Sequence, residues 1–75
     1  MGNNITLFSK EDAEAIGPQF YRLRRERNLS LEELKAHIHL SVRRLSRIEK
    51  GEYLPIIPAL RLAKFYGQKV RITLE

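Results

Sequence analysis

Residues 30–51 read SLEELKAHIHLSVRRLSRIEKG, and the first half of this stretch has the pattern of a short helix. Ser30 followed three positions later by Glu33 is a capping box, a sequence that satisfies the free amides at a helix start. The apolar residues that follow recur at the spacing of one helical face: Leu31, Leu34 and Ile38. The stretch therefore begins with a capped amphipathic helix.

The second half of the stretch predicts another short helix after a tight connection at His39 and Leu40. Ser41 is suited to cap its start, Leu45 and Ile48 lie one turn apart on its inward face, and Gly51 suits the left-handed residue beyond its end. A helix, a turn of about three residues and a second helix form the helix-turn-helix motif.

The outward face of the second helix is rich in cations. Once Leu45 and Ile48 face the core, five positions must project outward, namely Val42, Arg43, Ser46, Arg47 and Lys50. An exposed helix fits the major groove of DNA, where an arginine can donate two hydrogen bonds to guanine O6 and N7, worth about 1–3 kcal/mol against a wrong base.

The residues before this motif predict two more helices. Ser9 and Asp12 form a variant capping box that starts a short helix, Gly17 ends or kinks it, and Pro18 suits the first turn of a new helix that runs to about Arg27. We expect the basic cluster from Arg22 to Arg27 to be the solvated face of that helix, with direct DNA contact as the alternative.

The residues after the motif predict a further helix and a strand. Pro58 suits a first helical position, Gly67 suits the end, and the apolar face is Ala59, Leu60, Ala63 and Tyr66. We expect Tyr21, Tyr53 and Phe65 to be packing residues.

Together, the predicted helices and strands give a mainly α fold class, with four to five helices and short terminal β-strands.

The two terminal segments carry the strand patterns. Residues 5–8 are β-prone, and over about 69–74 the apolar residues Val70, Ile72 and Leu74 alternate with polar ones. A lone strand needs a hydrogen-bonding partner, which is either the other terminal strand or the same strand of a second chain. The sequence leaves both pairings open.

The length and the charge of the chain limit the number of domains and the kinds of function to consider. The 75 residues predict a single domain over 1–75 with its core at about 16–67, and 14 Lys and Arg against 9 Asp and Glu give a net charge of +5. Nine of the basic residues fall between Arg22 and Lys50, which favours a polyanionic partner, although small soluble domains are often basic without one. The chain has no cysteine and no long apolar run, so we expect a cytoplasmic protein without membrane attachment.

The sequence resembles the Cro and phage-repressor helix-turn-helix family, also called XRE, over about residues 16–67. The resemblance lies in Ile16-Gly17, in residues 23–27 and 29–34, in residues 41–51 (SVRRLSRIEKG), and in Pro55 and Leu62-Ala63-Lys64. It implies a lambda-repressor-like domain and a transcriptional repressor of double-stranded DNA operators.

Position by position, the resemblance implies three sets of site residues. The base-edge readers are Val42, Arg43, Ser46 and Arg47. The phosphate-contacting positions are Ser30, Ser41, Arg44 and Lys50. Arg24 and Glu49 match a pair that joins the first and third helices by a salt bridge. One departure is His39, since the family usually has a glycine at this turn, and His39 must adopt a left-handed or bridge conformation.

The C-terminal segment Lys69-Val70-Arg71-Ile72-Thr73-Leu74 is similar to HipB-type antitoxins, which pair C-terminal strands across a dimer. This second resemblance implies a homodimer formed through Val70, Ile72 and Leu74, and a toxin partner encoded in the same operon. A dimer would set two recognition helices about 34 Å apart, facing successive major grooves of a pseudo-palindromic operator.

Other classes of function have less support in the sequence. The main alternative is a protein-interaction module that binds a toxin or another partner, with DNA binding secondary. No phosphate loop or catalytic triad order is present, so we expect neither an enzyme nor a cofactor. His37 and His39 are two positions apart, on different sides of a helix, which argues against a metal site.

Overall fold

The computed structural model describes residues 8–68, and this part of the chain contains four α-helices. They are α1 (Lys10–Glu26), α2 (Leu31–Ile38), α3 (Val42–Glu49) and α4 (Ile56–Phe65). The predicted mainly α helix-turn-helix fold is confirmed. The predicted strand over about 69–74 and residues 5–7 of the predicted N-terminal strand lie outside the described residues. Phe8, the last residue of that predicted strand, is not in a strand, and its amide donates to the Leu54 carbonyl at 2.9 Å. Across residues 8–68, each helix is too short or too polar to cross a membrane.

Helix α1 is one continuous helix, so the predicted break at Gly17 and Pro18 is wrong. Ser9 caps it as expected, because its hydroxyl oxygen accepts the Asp12 amide at 3.1 Å. Pro18 lies in the helix interior, where it cannot donate a backbone hydrogen bond. The helix continues through Pro18 because Ala13, Gly17 and Phe20, on the same face before and after it, are all buried.

Gly17 is needed for close packing rather than for ending a helix. A Cβ atom at Gly17 would overlap the carbonyl oxygen of Ile48 and would lie 3.1 Å from the Cα of Gly51. The middle of α1 therefore touches the backbone at the end of α3 directly. Gly51 itself has the predicted left-handed conformation, with φ +79°.

Helix α2 and the turn after it follow the sequence prediction. The capping box is complete: Ser30 Oγ accepts the Glu33 amide at 3.0 Å, and Glu33 Oε1 accepts the Ser30 amide at 2.8 Å. His39 ends the helix in the left-handed region with φ 61°. For a residue with a side chain this conformation costs roughly 1–2 kcal/mol relative to the right-handed helix.

Helix α4 begins at Ile56, two residues earlier than Pro58 predicted. Pro55 is the N-cap, and Pro58 occupies the third helical position, where the backbone amide has no partner within the helix in any case. The buried face also differs from the predicted one, because Leu62 and not Leu60 shares the helical spacing of Ala59, Ala63 and Tyr66. Leu60, predicted to face inward, is 39% exposed, and Leu62 is buried in its place. Gly67 follows the helix with φ +70°, as predicted for a residue beyond the end.

All four helices contribute to one hydrophobic core. Its largest fully buried side chains are Leu34, Leu45, Ile48, Leu54, Leu62 and Tyr66. Helix α3 packs against both α1 and α2, and α2 also packs against α4. Helix α3 is thus held on its inner side by two helices, and this packing fixes which of its residues face solvent.

Candidate nucleic-acid interface

The outer side of α3 carries four exposed cations. Leu45 and Ile48 are fully buried, and the residues of α3 that face away from them are exposed or partly exposed. Exposed are Arg43, Arg44, Arg47 and, at the C-cap, Lys50, while Val42 and Ser46 are partly exposed. The inward and outward positions are those that the sequence pattern assigned.

The one acidic residue of α3, Glu49, points inward. It is 7% exposed, and its carboxylate accepts two hydrogen bonds from Arg24 of α1, at 2.8 Å from Nε and 3.0 Å from Nη2. Arg24 Nη1 also donates to the Leu29 carbonyl at 2.9 Å. The hydrogen bonds that Arg24 donates to the Glu49 carboxylate raise the pKa of Arg24 above its ordinary value, although burial acts in the opposite direction. Arg24 and Glu49, which the resemblance pairs, do form a salt bridge.

This ion pair keeps one negative charge away from the exposed side of α3. Because the Glu49 carboxylate is buried and neutralised by Arg24, it does not offset the positive charge on the outer side of α3. The first turn of α3 contains no acidic residue either. The exposed side of the helix therefore combines four cations with the positive end of a helix dipole.

Arg47 has two neighbours that the sequence analysis did not predict. Its Nε donates to Glu52 Oε1 at 2.9 Å, and its guanidinium carbon lies 4.7 Å from the centre of the Tyr53 ring. Both side chains of the ion pair are about half exposed. Such exposed pairs are worth about 0.2–1 kcal/mol, so Arg47 can exchange Glu52 for another acceptor at low cost.

The two serine N-caps present different surroundings to a phosphate. Ser41 Oγ accepts the Arg44 amide at 3.2 Å, which leaves its O–H free to donate. Ser30 has the same free O–H, but its backbone amide is taken by Glu33, whose pKa this bond lowers. Glu32 also lies in that first turn. A phosphate would therefore meet a more favourable charge at Ser41 than at Ser30.

Apart from Arg24, the arginines in the last turns of α1 and at its C-cap fall into two groups. Arg22 and Arg25 are exposed, in agreement with the predicted solvated face. Arg27, in contrast, has a structural contact: its Nη2 donates to the Tyr66 carbonyl at 3.1 Å, and its guanidinium carbon lies 5.0 Å from the centre of the Tyr66 ring. Tyr21, predicted to be a packing residue, is 43% exposed and packs beneath the guanidinium groups of Arg24 and Arg25.

The other two aromatic residues predicted to pack, Tyr53 and Phe65, are partly buried against the core. Within residues 8–68, no three histidine or acidic side chains come together in a way that could hold a metal ion. The predicted dimerisation residues Val70, Ile72 and Leu74 lie outside the described part of the chain.

The model of the helix-turn-helix family matches residues 20–71, well over half of the chain. The chain belongs to this family, of the Cro and phage-repressor (XRE) type, and is therefore a DNA-binding transcription regulator. Comparison with curated proteins and with solved structures gave no match. Family membership and the cationic outer side of α3 agree on the class of the protein.

Proposed function

We propose that this protein is a transcriptional repressor that inserts α3 into the major groove of a specific operator. The observation that carries the proposal is the inward orientation of Glu49, which leaves the outer side of α3 cationic. Arg43 and Arg47 are exposed next to the partly exposed Val42 and Ser46, so these four side chains can reach base edges together. Bidentate recognition of guanine by either arginine would provide sequence preference.

The remaining cations and the helix starts would hold the DNA backbone. Arg44 and Lys50 are exposed at either end of α3, where they can contact phosphates without entering the groove. Ser41, with its free O–H and the neighbouring amides of the first turn, is the better placed of the two serines, and Ser30 would contribute through its hydroxyl alone.

The roles of these side chains can be separated by substitution. We expect Arg43→Ala and Arg47→Ala to lower affinity for the operator more than for random DNA, each by up to about 1–3 kcal/mol on the operator. Lys50→Ala should weaken both duplexes about equally. Arg22→Ala on α1 serves as the control of equal charge. The measurement is fluorescence anisotropy with the duplex upstream of the gene and with a shuffled duplex.

The salt dependence of the same binding separates this proposal from a protein-interaction module. A repressor that makes about six phosphate contacts should give a slope of about −5 in a plot of log affinity against log salt concentration. Weak binding that is insensitive to operator sequence, or equal losses on both duplexes for the two arginine variants, would contradict the proposed readout. Co-purification of a neighbouring gene product together with such weak binding would favour the interaction module.

We further propose that the protein works as a homodimer and represses the operon of a toxin that it also binds. Support comes from the alternating Val70, Ile72 and Leu74, whose backbone needs a partner strand, and from the resemblance of this segment to HipB-type antitoxins. A twofold symmetric dimer would match a pseudo-palindromic operator.

Deletion of residues 70–75 should convert the dimer to a folded monomer, because the core formed within residues 8–68, from Ala13 to Tyr66, lies before the deleted segment. Sedimentation equilibrium measures the mass, and circular dichroism checks that the helices remain. The matched control replaces only the polar members of the segment, Lys69, Arg71 and Thr73, by serine. A truncated protein that remains dimeric would contradict this mode of assembly.

A further inference from the structure

A groove lies between the end of α2 and the second half of α4, and it shares no residue with α3. Its volume is about 400 Å³, and it is lined by His37, Ile38, His39, Arg61, Lys64 and Phe65. The base-reading and phosphate-contacting residues proposed above lie outside this set. The groove can therefore be altered without touching the proposed DNA contacts.

The floor of the groove is apolar and already ordered. Ile38 is buried at its base, and Phe65 is partly buried against the same core. The imidazole of His37 packs on Phe65, with the ring centres 5.0 Å apart. A bulky apolar side chain of a ligand placed here would be removed from water and would contact the preformed surfaces of Ile38, Phe65 and His37. Contact with such preformed apolar surfaces is typical of a binding pocket.

The rim of the groove is cationic and has no acidic residue. Arg61 and Lys64 are exposed, lie three positions apart on one face of α4, and form no salt bridge with any residue in 8–68. His37 and His39 add further nitrogen donors beside them. The rim can thus accept negative charge without breaking an ion pair within the described residues.

His39 contributes a second, independent observation. It occupies a left-handed backbone position, where glycine would fit without steric strain, and its side chain forms part of the groove wall. At this position, therefore, a side chain that lines the groove is present although glycine would be less strained. The groove is the surface to which this side chain contributes.

We propose that this groove binds an acidic polypeptide segment of a partner protein, with one bulky apolar side chain of that segment seated on Ile38 and Phe65. DNA phosphates would use the cationic rim but gain nothing from the apolar floor. An acidic segment with an aromatic or aliphatic residue uses both. The protein would then hold a partner through α2 and α4 and DNA through α3.

The probe for this proposal is the synthetic peptide acetyl-Glu-Asp-Glu-Phe-Leu-Asp-Glu-amide, added to the full chain labelled with ¹⁵N. We expect the amide signals of residues 37–39 and 61–65 to shift. A second peptide with serine in place of Phe and Leu should bind about tenfold more weakly, because it buries no large apolar side chain.

Two pairs of substitutions separate the groove from general charge attraction. Arg61→Ala with Lys64→Ala should weaken peptide binding at least about fivefold, since each lost charge-assisted contact contributes separately. Arg22→Ala with Arg25→Ala removes the same charge from α1 and should change binding less than about twofold. Both double variants keep the buried core intact, because all four side chains are exposed.

The His39→Gly variant distinguishes a role of His39 in peptide binding from a purely structural role, because the two roles predict different peptide affinities. Relief of the left-handed strain should raise the thermal midpoint by roughly 4 °C or more, while loss of the imidazole should weaken peptide binding. A rise in the thermal midpoint with unchanged peptide binding would remove His39 from the site.

Three results would overturn the groove as a whole. The peptide shifts could spread equally over α1 and α3, the serine peptide could bind as tightly as the first, or the two double variants could weaken binding to the same extent. A shift of the groove amides by a DNA duplex, in the absence of any shift by the peptide, would make it a nucleic-acid contact instead. Failure of operator binding would leave the proposal unaffected, because the two tests share only the control position Arg22 and no side chain of either proposed site.

Discussion

A Gly17→Ala variant is expected to lose at least about 3 kcal/mol of the free energy of unfolding. The added methyl group would overlap the Ile48 carbonyl oxygen and crowd the backbone of Gly51. These are main-chain atoms, so the clash is relieved only by moving α3 away from α1. Alanine is the better helix former by about 1 kcal/mol, and this gain is too small to offset the clash. A core of this size rarely provides more than about 3–5 kcal/mol, so the variant should be largely unfolded at 37 °C.

The measurement is urea denaturation followed by circular dichroism, with Gly67→Ala as the matched control. Gly67 has φ +70° and open space around the position of a Cβ atom, so its replacement should cost about 1 kcal/mol of backbone strain and no packing. A Gly17→Ala protein as stable as the wild type would show that α1 and α3 do not pack as closely as described.

Removal of the Glu49 side chain has the second largest expected effect. Glu49→Ala leaves the Arg24 guanidinium, whose side chain is only 11% exposed, with the Leu29 carbonyl as its remaining hydrogen-bond acceptor. Breaking one partner of a buried pair typically costs 3–5 kcal/mol, and we expect about 3 kcal/mol here because Arg24 keeps that acceptor. Operator binding should weaken as well, since this pair helps to fix α3 on α1.

The double variant Arg24→Met, Glu49→Leu separates the loss of stability caused by an unpaired charge from the loss caused by missing packing. With both charges removed, the apolar side chains should restore most of the stability that Glu49→Ala loses, because no uncompensated charge remains. Thermal unfolding of the wild type and the variants measures the difference. A Glu49→Ala protein within about 0.5 kcal/mol of the wild type would mean that the pair does not hold α1 and α3 together.

Helices α2 and α3 and the turn between them could be predicted from the sequence because their signals are local. The capping box at Ser30, the cap at Ser41 and the glycine at position 51 each depend on residues within one turn. The left-handed conformation of His39 was expected from the family resemblance instead, because the family usually has a glycine at this turn. Local hydrogen bonding and helical spacing were therefore sufficient to predict where α2 and α3 lie and which residues of α3 face outward.

The two errors in the helices have different causes. Gly17 and Pro18 were predicted to break the helix, yet burial of Ala13 and Phe20 on both sides of them holds one helix together, so tertiary packing overrides the local preference. Leu60 was assigned to the core, but the residue that shares a helical face with Ala59, Ala63 and Tyr66 is Leu62, which is buried while Leu60 is 39% exposed. The second error is therefore one of helical spacing.

The neighbours of Arg47 were missed because they too depend on tertiary packing. Glu52 and Tyr53 follow the end of α3, and only the reversal of the chain after Gly51 brings them back to Arg47. A glycine at a helix end predicts that the chain turns, but the direction in which the chain continues depends on packing. The cationic groove beside Phe65 likewise forms only when α4 packs against α2.

Methylation interference on the duplex upstream of the gene tests most directly whether α3 reads the major groove. The method identifies the guanines whose N7 methylation prevents binding. We expect a few such guanines for the wild type, and we expect the effect at one of them to disappear with Arg43→Ala and at another with Arg47→Ala. Tight binding that tolerates N7 methylation everywhere, or an identical pattern for all three proteins, would contradict the account.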